Sequence, residues 1–340
     1  MKLPNITKQI KIPTGDICIM QGEKGPIEFL SVGDYGKGIN IKADFLGITR
    51  EINGVPNGKI MPLSEKWVIT ISTQYGCSMD CKFCDVPKVG KGTNATYSDM
   101  INQIKLGLLL HPEIKGTKRL NIHFARMGEP SFNDNVLDVA SSLHRSISEF
   151  WDNCGTIHPV ISTMMPKNNR YLHQFLNIWC NDIKNNLYRG EAGLQLSINS
   201  TSNDQREEMF SGNSLSIEDV AHEAEFLPKP LGRKYTLNFA LADNYEVDAK
   251  RLRYLFNPEH FIVKITPLHK TASCDENNIS TTNGYESFAP YQKIERELKE
   301  NGFEVIVFVP SYDEDLGLIT CGNAILSGSL PKIKYDVIVN

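Results

Sequence analysis

The sequence has no long apolar run. Its most apolar stretch, residues 104–110, falls far short of the ~20 residues that a bilayer-crossing helix needs, and the opening MKLPNITKQIKIPTGD has no apolar core of signal-peptide length. No membrane association and a cytoplasmic location are expected. Charge of one sign is lacking too: 36 Lys and Arg against 40 Asp and Glu leave a net charge of -4, which argues against a chain-wide basic footprint and leaves nucleic acid only local patches. There is no internal repeat and no low-complexity tract, and Gly and Pro stand at ordinary levels, which sets disordered and fibrous classes aside. What is present, 340 residues that are 41% apolar and 22% charged, is a globular composition large enough for one α/β domain with appendages or for two domains.

After about residue 66 a rhythm sets in. Short β-branched runs recur at 67–74, 120–125, 158–163, 194–199, 235–242, 261–266 and 303–309. Between most of them, at 99–110, 135–150, 171–183, 217–226 and 291–301, apolar residues fall three and four apart. Strand and helix thus alternate six or seven times. The alternation predicts an α/β fold of parallel βα units, as an open doubly wound sheet or a complete or partial barrel, with ligands at the carboxyl ends of the strands. The first 63 residues, rich in Gly, Ile and Lys, predict short strands and turns instead. The expected organisation is an accessory segment at 1–63, a main domain at 64–310, and a C-terminal loop and tail at 311–340.

Three of the eight cysteines stand within Gly76-Cys77-Ser78-Met79-Asp80-Cys81-Lys82-Phe83-Cys84, directly after the first strand of the main domain. In a reducing compartment such a cluster binds metal or does redox chemistry more often than it forms structural disulfides. A structural zinc site would want four ligands, normally as two pairs, and the sequence offers no second pair of suitable spacing. An iron–sulfur cubane is also held by thiolates, and spacings of two and three residues let one loop wrap successive irons. Three cysteines would leave one iron open to a small chelating molecule. Zinc completed by a distant His or Cys, and unmetallated thiols, are the alternatives. Further along, Gly128-Glu129-Pro130 follows a predicted strand; Gly permits close backbone approach and Pro stiffens the turn, so Glu129 and nearby carbonyls can receive an ammonium group. An ordinary strand-end turn is the alternative there. Ser162 and Ser197 end later strands, where serines are common. Cys18, Cys154 and Cys180 sit in apolar or helical contexts and read as core.

The Cys-x-x-x-Cys-x-aromatic-Cys pattern after a strand closely resembles the signature of the radical S-adenosylmethionine (radical SAM) superfamily. The resemblance implies a partial (βα)6-type barrel with a 4Fe–4S cluster on Cys77, Cys81 and Cys84. It also implies S-adenosylmethionine bound to the open iron through its amino and carboxylate groups, and cleaved by one electron to a 5′-deoxyadenosyl radical. Gln74-Tyr75-Gly76-Cys77, Met127-Gly128-Glu129-Pro130, Ser162-Thr163, Leu196-Ser197-Ile198-Asn199 and Thr320-Cys321-Gly322 occur in the order and roughly at the spacings of the RlmN/Cfr-type adenosine methylases. That likeness runs from about Glu51 to Gly322. It implies that Gly128, Glu129, Ser162, Ser197, Asn199 and His269 bind the cofactor. Asn199 stands where those proteins usually have His, and His269 falls near their Asn; both can still donate and accept hydrogen bonds.

The likeness gives Cys321 the central role. In the methylases the matching cysteine is first methylated by one S-adenosylmethionine, a second molecule supplies the radical that removes hydrogen from this methyl, and the carbon radical adds to carbon 2 or 8 of an adenine in RNA. A thiol suits such a relay because a thiolate is a strong nucleophile toward a sulfonium methyl; a small buried hydrophobe is the alternative for a lone cysteine. Glu51 resembles the proton acceptor, although its interval to Cys77 is longer here by several residues. Thr70 stands where the methylases carry the cysteine that releases the protein–RNA adduct, and Cys274 is either its replacement from another loop or a plain surface thiol. The N-terminal segment is shorter than the methylases' helical accessory domain. Lys82, Lys88 and Lys91 border the expected mouth of the site and Lys229, Arg233 and Lys234 form another short basic run. The expected function is a radical SAM methyltransferase acting on an RNA adenosine, with an electron donor such as flavodoxin or ferredoxin, as a monomer. Direct use of the 5′-deoxyadenosyl radical on a small molecule, nucleotide or peptide is the second possibility, and a non-catalytic iron–sulfur or zinc protein the third.

Overall fold

The computed structural model describes residues 5–12, 15–33, 51–52, 55–56, 62–151, 153–281, 289–309 and 312–339, with the backbone alone at 51–52, 55–56, 289–290 and 312–313. In chain order the elements before the cysteine loop are β1 (Ile6–Ile12), β2 (Gly15–Gly22), β3 (Gly25–Val32), β4 (Glu51–Ile52), β5 (Val55–Pro56), β6 (Trp67–Ile71) and β7 (Gln74–Gly76). Next come β8 (Lys91–Asn94), α1 (Tyr97–Leu109), β9 (Thr117–Phe124), α2 (Asn135–Ser148), β10 (Cys154–Thr163), α3 (Leu172–Ile178), β11 (Gly193–Ser197), α4 (Asn203–Met209) and α5 (Ile217–Glu225). The chain finishes with β12 (Tyr235–Leu241), α6 (Ala249–Leu255), β13 (Phe261–Pro267), α7 (Ala272–Glu276), α8 (Ala289–Glu300), β14 (Glu304–Val307), α9 (Tyr312–Leu316) and β15 (Asp336–Val339).

An 11-stranded sheet organises the molecule, in the order β14-β13-β12-β11-β10-β9-β6-β3-β2-β1-β15. From β6 to β14 every neighbouring pair is parallel, and successive strands are joined through helices, as right-handed βα crossovers require. Six strand–helix units ending in an extra edge strand make the parallel βα array that the repeated rhythm predicts, in the partial-barrel form that the family resemblance implies. These strands are covered on both faces, which is why they read as nearly unbroken apolar runs: in β6 only Thr70 is not fully buried. The helices show the matching stripe, as in α2, where Val136, Val139, Ala140, Leu143 and Ile147 are buried. Helix α1 starts at a capping box in which Asp99 N donates to Thr96 Oγ1 at 3.1 Å and Thr96 N donates to Asp99 Oδ2 at 3.0 Å. The expected helix at 171–183 is α3 followed by a π-helical stretch, Trp179–Leu187.

The opposite side of β6 departs from a closed barrel. There β3 pairs antiparallel with β6, Leu30 opposite Thr70, and β2, β1 and β15 extend the sheet. Alternation along β3 gives this meander two apolar faces. Ile27 and Phe29 belong to the main core beneath α1, whereas Leu30 and Val32 join Ile10, Ile17 and Ile19 in a second core covered by Leu318, Ile325, Leu326 and Ile333. The C-terminal segment is therefore packed onto the accessory strands. Trp67 Nε1 donates to Ser31 Oγ at 2.9 Å, and Ser31 Oγ donates to Gly107 O at 2.9 Å, joining β6, β3 and α1. No helix among the described residues is long and apolar enough to cross a membrane.

His111, just beyond α1, stands between two carboxylates, with Nε2 3.1 Å from Asp16 Oδ2 of β2 and Nδ1 3.3 Å from Glu113 Oε1. Asp16, assisted by Glu113, raises the imidazole above its usual value against the opposing effect of burial. A pKa raised in the folded state means stability that is complete below the unfolded value of about 6.5 and lost as pH rises through the higher folded value. Urea unfolding of the wild type is expected to show this decline above pH 6.5, and His111→Gln to flatten it. An identical pH profile in the variant would contradict the assignment.

Candidate active site

The cysteine loop begins where β7 ends. Gly76 has φ 78° and a Cβ placed there would meet Gly90 O at 2.1 Å, so only glycine lets the chain pass into Cys77. The loop is then fastened from several sides. Cys77 N donates to Gly90 O at 3.0 Å, Cys84 N to Cys81 O at 3.0 Å, and Lys82 N to Met209 O of α4 at 3.0 Å. Asn213 Nδ2 donates to Met79 O at 3.0 Å and Ser211 Oγ to Asp80 O at 2.7 Å, while Phe83 meets Phe210 edge-on at 5.9 Å. Apart from Cys84 to Cys81, which closes the loop on itself, these contacts tie the loop to the end of α4, the turn after it and Gly90 just before β8, and leave Cys81 buried and Cys77 and Cys84 half-buried.

Burial is the first cause that raises all three thiols. Cys77 is pushed up to about 11, against backbone amides of Met79 and Gly128 that donate toward its sulfur. Cys81 is raised further by Cys84 and Cys77, and Cys84 by Cys77, with Cys321 also among its charged neighbours. Among the described residues no three Cys, His, Asp or Glu side chains converge tightly enough to ligate a single ion. Three thiols on one short loop, with amides directed at the first sulfur, suit a cluster whose irons occupy separate corners.

The strand ends that face this loop carry the other predicted residues. Gly128 has φ 97° and lies against Gln74, whose Cβ would be 2.6 Å from any added Cβ. Glu129 is buried; Oε1 accepts from Ser131 N at 3.0 Å and Ser131 Oγ at 2.8 Å, and Oε2 accepts from Met164 N at 2.8 Å. Burial raises its pKa, opposed by these donors and by Thr163. Its carboxylate thus ties the turn after β9 to the end of β10. Ser162 is half-buried near the end of β10 and Ser197 buried at the end of β11. Asn199, buried with φ 59°, spends its side-chain oxygen on Ala240 N at 3.0 Å, linking β11 to β12. His269, after β13, faces Asp315, Nδ1 to Oδ1 at 3.3 Å, and Asp315 Oδ1 also accepts from Thr320 Oγ1 at 3.0 Å. His269 is therefore joined to the segment that carries Cys321. Glu51 lies in β4, and its side chain is outside the described residues.

Cys321 is exposed, and the glycine after it presses on the cysteine loop. Asp85 N donates to Gly322 O at 2.8 Å, and a Cβ on Gly322 would sit 3.5 Å from Phe83 O and 3.9 Å from Cys84 Cα. Two loops far apart in sequence are in contact. Asp85 itself, fully buried, accepts from Ser273 N at 2.8 Å, Ser273 Oγ at 2.7 Å and Ala272 N at 3.2 Å. It ties the cysteine loop to α7 and the Cys321 loop together, a role that its place beside Cys84 could have suggested. Cys274 is buried, its Sγ directed at Phe83 O at 3.6 Å and His269 O at 3.5 Å, so it is not a surface thiol. Cys18 and Cys180 are core, as expected; Cys154, at the start of β10, pairs with Thr117 of β9 but lies beyond the reach of β11, whose pairing begins at Val160, and is only half-buried.

Arg206 of α4 was not singled out by the sequence. It is 1% exposed and its Nη1 donates to Ser197 O and Ile198 O, its Nη2 to Ser214 Oγ at 2.8 Å and Leu215 O at 2.9 Å. Burial lowers its pKa to about 10. The guanidinium fixes the end of β11 just where Ser197 and Asn199 emerge. Arg206→Met leaves several buried acceptors without donors and is expected to cost about 3 kcal/mol, measured by urea unfolding; a loss below about 1 kcal/mol would contradict this role.

No family model matches the chain. The structure superposes on that of a radical SAM methyltransferase from Sphaerobacter thermophilus with TM-score 0.62, covering 94% of this chain and 81% of that one at 17% identity. The fold is that of the radical SAM enzymes. In sequence the chain is 27% identical over 243 residues to a probable dual-specificity RNA methyltransferase RlmN of Clostridium beijerinckii, covering 70% of this chain and 61% of that protein. It is 28% identical over 210 residues to one of Dictyoglomus turgidum, covering 59% and 55%. The chain thus spans about three fifths of the length of these curated relatives.

Proposed function

We propose that the protein is a radical SAM methyltransferase in which Cys77, Cys81 and Cys84 hold a 4Fe–4S cluster and Cys321 carries the methyl to an RNA adenosine. The contact of the Cys321-Gly322 loop with Phe83 and Cys84 carries this reading, because a methyl carrier must stand beside the place where the cofactor is cleaved. When bound, the cluster and S-adenosylmethionine supply one-electron cleavage of the sulfonium to a 5′-deoxyadenosyl radical. The chain's own residues do the rest. Gly128, at φ 97°, and the Met79 amide shape the wall behind Cys77. Glu129 and Arg206 hold the ends of β10 and β11, which carry Ser162, Ser197 and Asn199. Cys321, exposed and on a loop, loses its thiol proton to solvent and attacks the sulfonium methyl, forming the C–S bond of S-methylcysteine and releasing S-adenosylhomocysteine.

Similarity to RlmN-type proteins supports RNA as the substrate, and flavodoxin or ferredoxin is proposed as the electron donor. Thr70 favours a second reading. It sits in mid-strand between Leu30 and His123, so no thiol occupies the position that would release a protein–RNA thioether, and direct radical attack on another substrate needs none. Anaerobic protein with dithionite and S-adenosylmethionine separates the two. The methylase reading expects both 5′-deoxyadenosine and S-adenosylhomocysteine; 5′-deoxyadenosine alone would move the assignment to direct radical chemistry.

A further inference from the structure

The accessory strands contribute one feature that neither the cysteine motif nor the relatives account for. Glu28 lies on the β3 face that the C-terminal segment covers, flanked by apolar Leu30, and is 0% exposed; Arg126, at the end of β9, is 5% exposed. Arg126 Nε donates to Glu28 Oε1 at 2.6 Å. Each partner then reaches the segment that carries Cys321: Arg126 Nη1 donates to Leu318 O at 3.0 Å, and Glu28 Oε2 accepts from Leu326 N at 3.0 Å. The two contacts fall on either side of Cys321. Leu318 has φ 59°, a left-handed backbone that a leucine adopts only when its surroundings enforce it. The carbonyl of that same residue is the one Arg126 holds.

A buried ion pair is a poor way to stabilise a fold, because apolar residues of similar volume often do as well or better; its best-attested use is to fix one arrangement among several. This pair is not saturated either, since Arg126 Nη2 has no hydrogen-bond partner among the described residues. We propose that Glu28 and Arg126 form a clamp that sets the position of the 318–326 loop, and that β1–β3 serve this protein as the platform for its Cys321 arm. The clamp rests on the methyl-carrier reading for its purpose, but not for its existence. Between its two ends the loop meets the cysteine loop at Gly322, whose carbonyl accepts from Asp85 N, and is braced by Asp315 at Thr320, so loosening Leu318 and Leu326 loosens the placement of Cys321 beside the cysteine loop. Glu28 and Arg126 are positioning residues: neither need touch the substrate.

The test uses the full-length protein and the double variant Glu28→Met with Arg126→Leu, which removes both charges together and leaves no lone buried ion. Hydrogen exchange, the melting temperature and the alkylation rate of Cys321 by iodoacetamide are read side by side, the last on protein expressed under iron limitation so that the sulfur is a free, unmethylated thiol. The clamp predicts exchange at 318–326 about tenfold faster and a several-fold faster alkylation of Cys321, with exchange in α1 and the melting temperature little changed. Glu28→Gln, which keeps an acceptor for Leu326 N, is expected to fall between the double variant and wild type. Unchanged exchange at 318–326 would overturn the clamp, and so would a uniform acceleration across the molecule with a lower melting temperature, which would make the pair an ordinary stabiliser. The methyl content of Cys321 is measured in parallel. Its absence from the wild type would end the carrier reading and leave the clamp to be decided by exchange and alkylation alone.

Discussion

In the Cys321→Ala protein, S-adenosylhomocysteine formation is expected to vanish while 5′-deoxyadenosine is still formed. The separation follows from geometry. Cys77, Cys81 and Cys84 lie on one loop fastened to α4 and β8, whereas Cys321 belongs to a segment packed on β1–β3, touching the first loop through Gly322. Removing one exposed sulfur leaves the supports of the other three in place. A nucleophile that forms the covalent intermediate has no substitute, so the expected loss of methyl transfer is complete, not partial. Ser in place of Cys is expected to fail as well, since its hydroxyl is a far weaker nucleophile toward a sulfonium carbon. Undiminished S-adenosylhomocysteine in Cys321→Ala would remove the carrier role.

Alanine at Cys77, Cys81 or Cys84 is expected to be broader in effect. If the three thiolates hold the proposed cluster, loss of one leaves a second iron corner without protein ligand on a loop that has no fourth cysteine; Cys274 is buried with its Sγ directed at backbone carbonyls. Even partners one step removed from a metal typically cost 10–100-fold in affinity or activity, so loss of a ligand is expected to exceed about 100-fold. Iron and sulfide content, read by absorption and metal analysis of anaerobically purified protein, should fall together with both products. Full iron content in all three variants would refute the ligand assignment.

The parts of this molecule that could be read from the sequence are those whose determinants are local. The spacing of Cys77, Cys81 and Cys84 is contained in one loop, and the strand–helix rhythm is a matter of short-range periodicity. Elements came out within a few residues of expectation, as with 99–110 against Tyr97–Leu109 and 303–309 against Glu304–Val307. The π-helical turn after α3 did not, because a single-residue change in hydrogen-bond register leaves the apolar spacing almost intact. Nor could the sequence say that β3 would pair with the open side of β6, since an unpaired strand edge has no mark in composition.

Long-range polar contacts were the other gap. Glu28 meets Arg126 across 98 residues, and Asp85 meets Ser273 across 188. Arg126, inside Ala125-Arg126-Met127-Gly128, was an ionisable residue between a buried strand and a tight turn, and such a residue calls for a partner; nothing local identifies Glu28 as that partner. His269, expected among the cofactor-binding residues by likeness, faces Asp315, which also accepts from Thr320 beside Cys321. The strand–helix rhythm and the cysteine spacing are local properties, whereas the placement of the Cys321 segment depends on contacts with strands at the other end of the chain.

Mass spectrometry of the peptide that contains Cys321, from protein expressed and purified anaerobically with its cluster, tests the central claim most directly. The account predicts one added methyl on that sulfur and none on Cys274. An unmodified Cys321, in protein that still converts S-adenosylmethionine to 5′-deoxyadenosine, would contradict it.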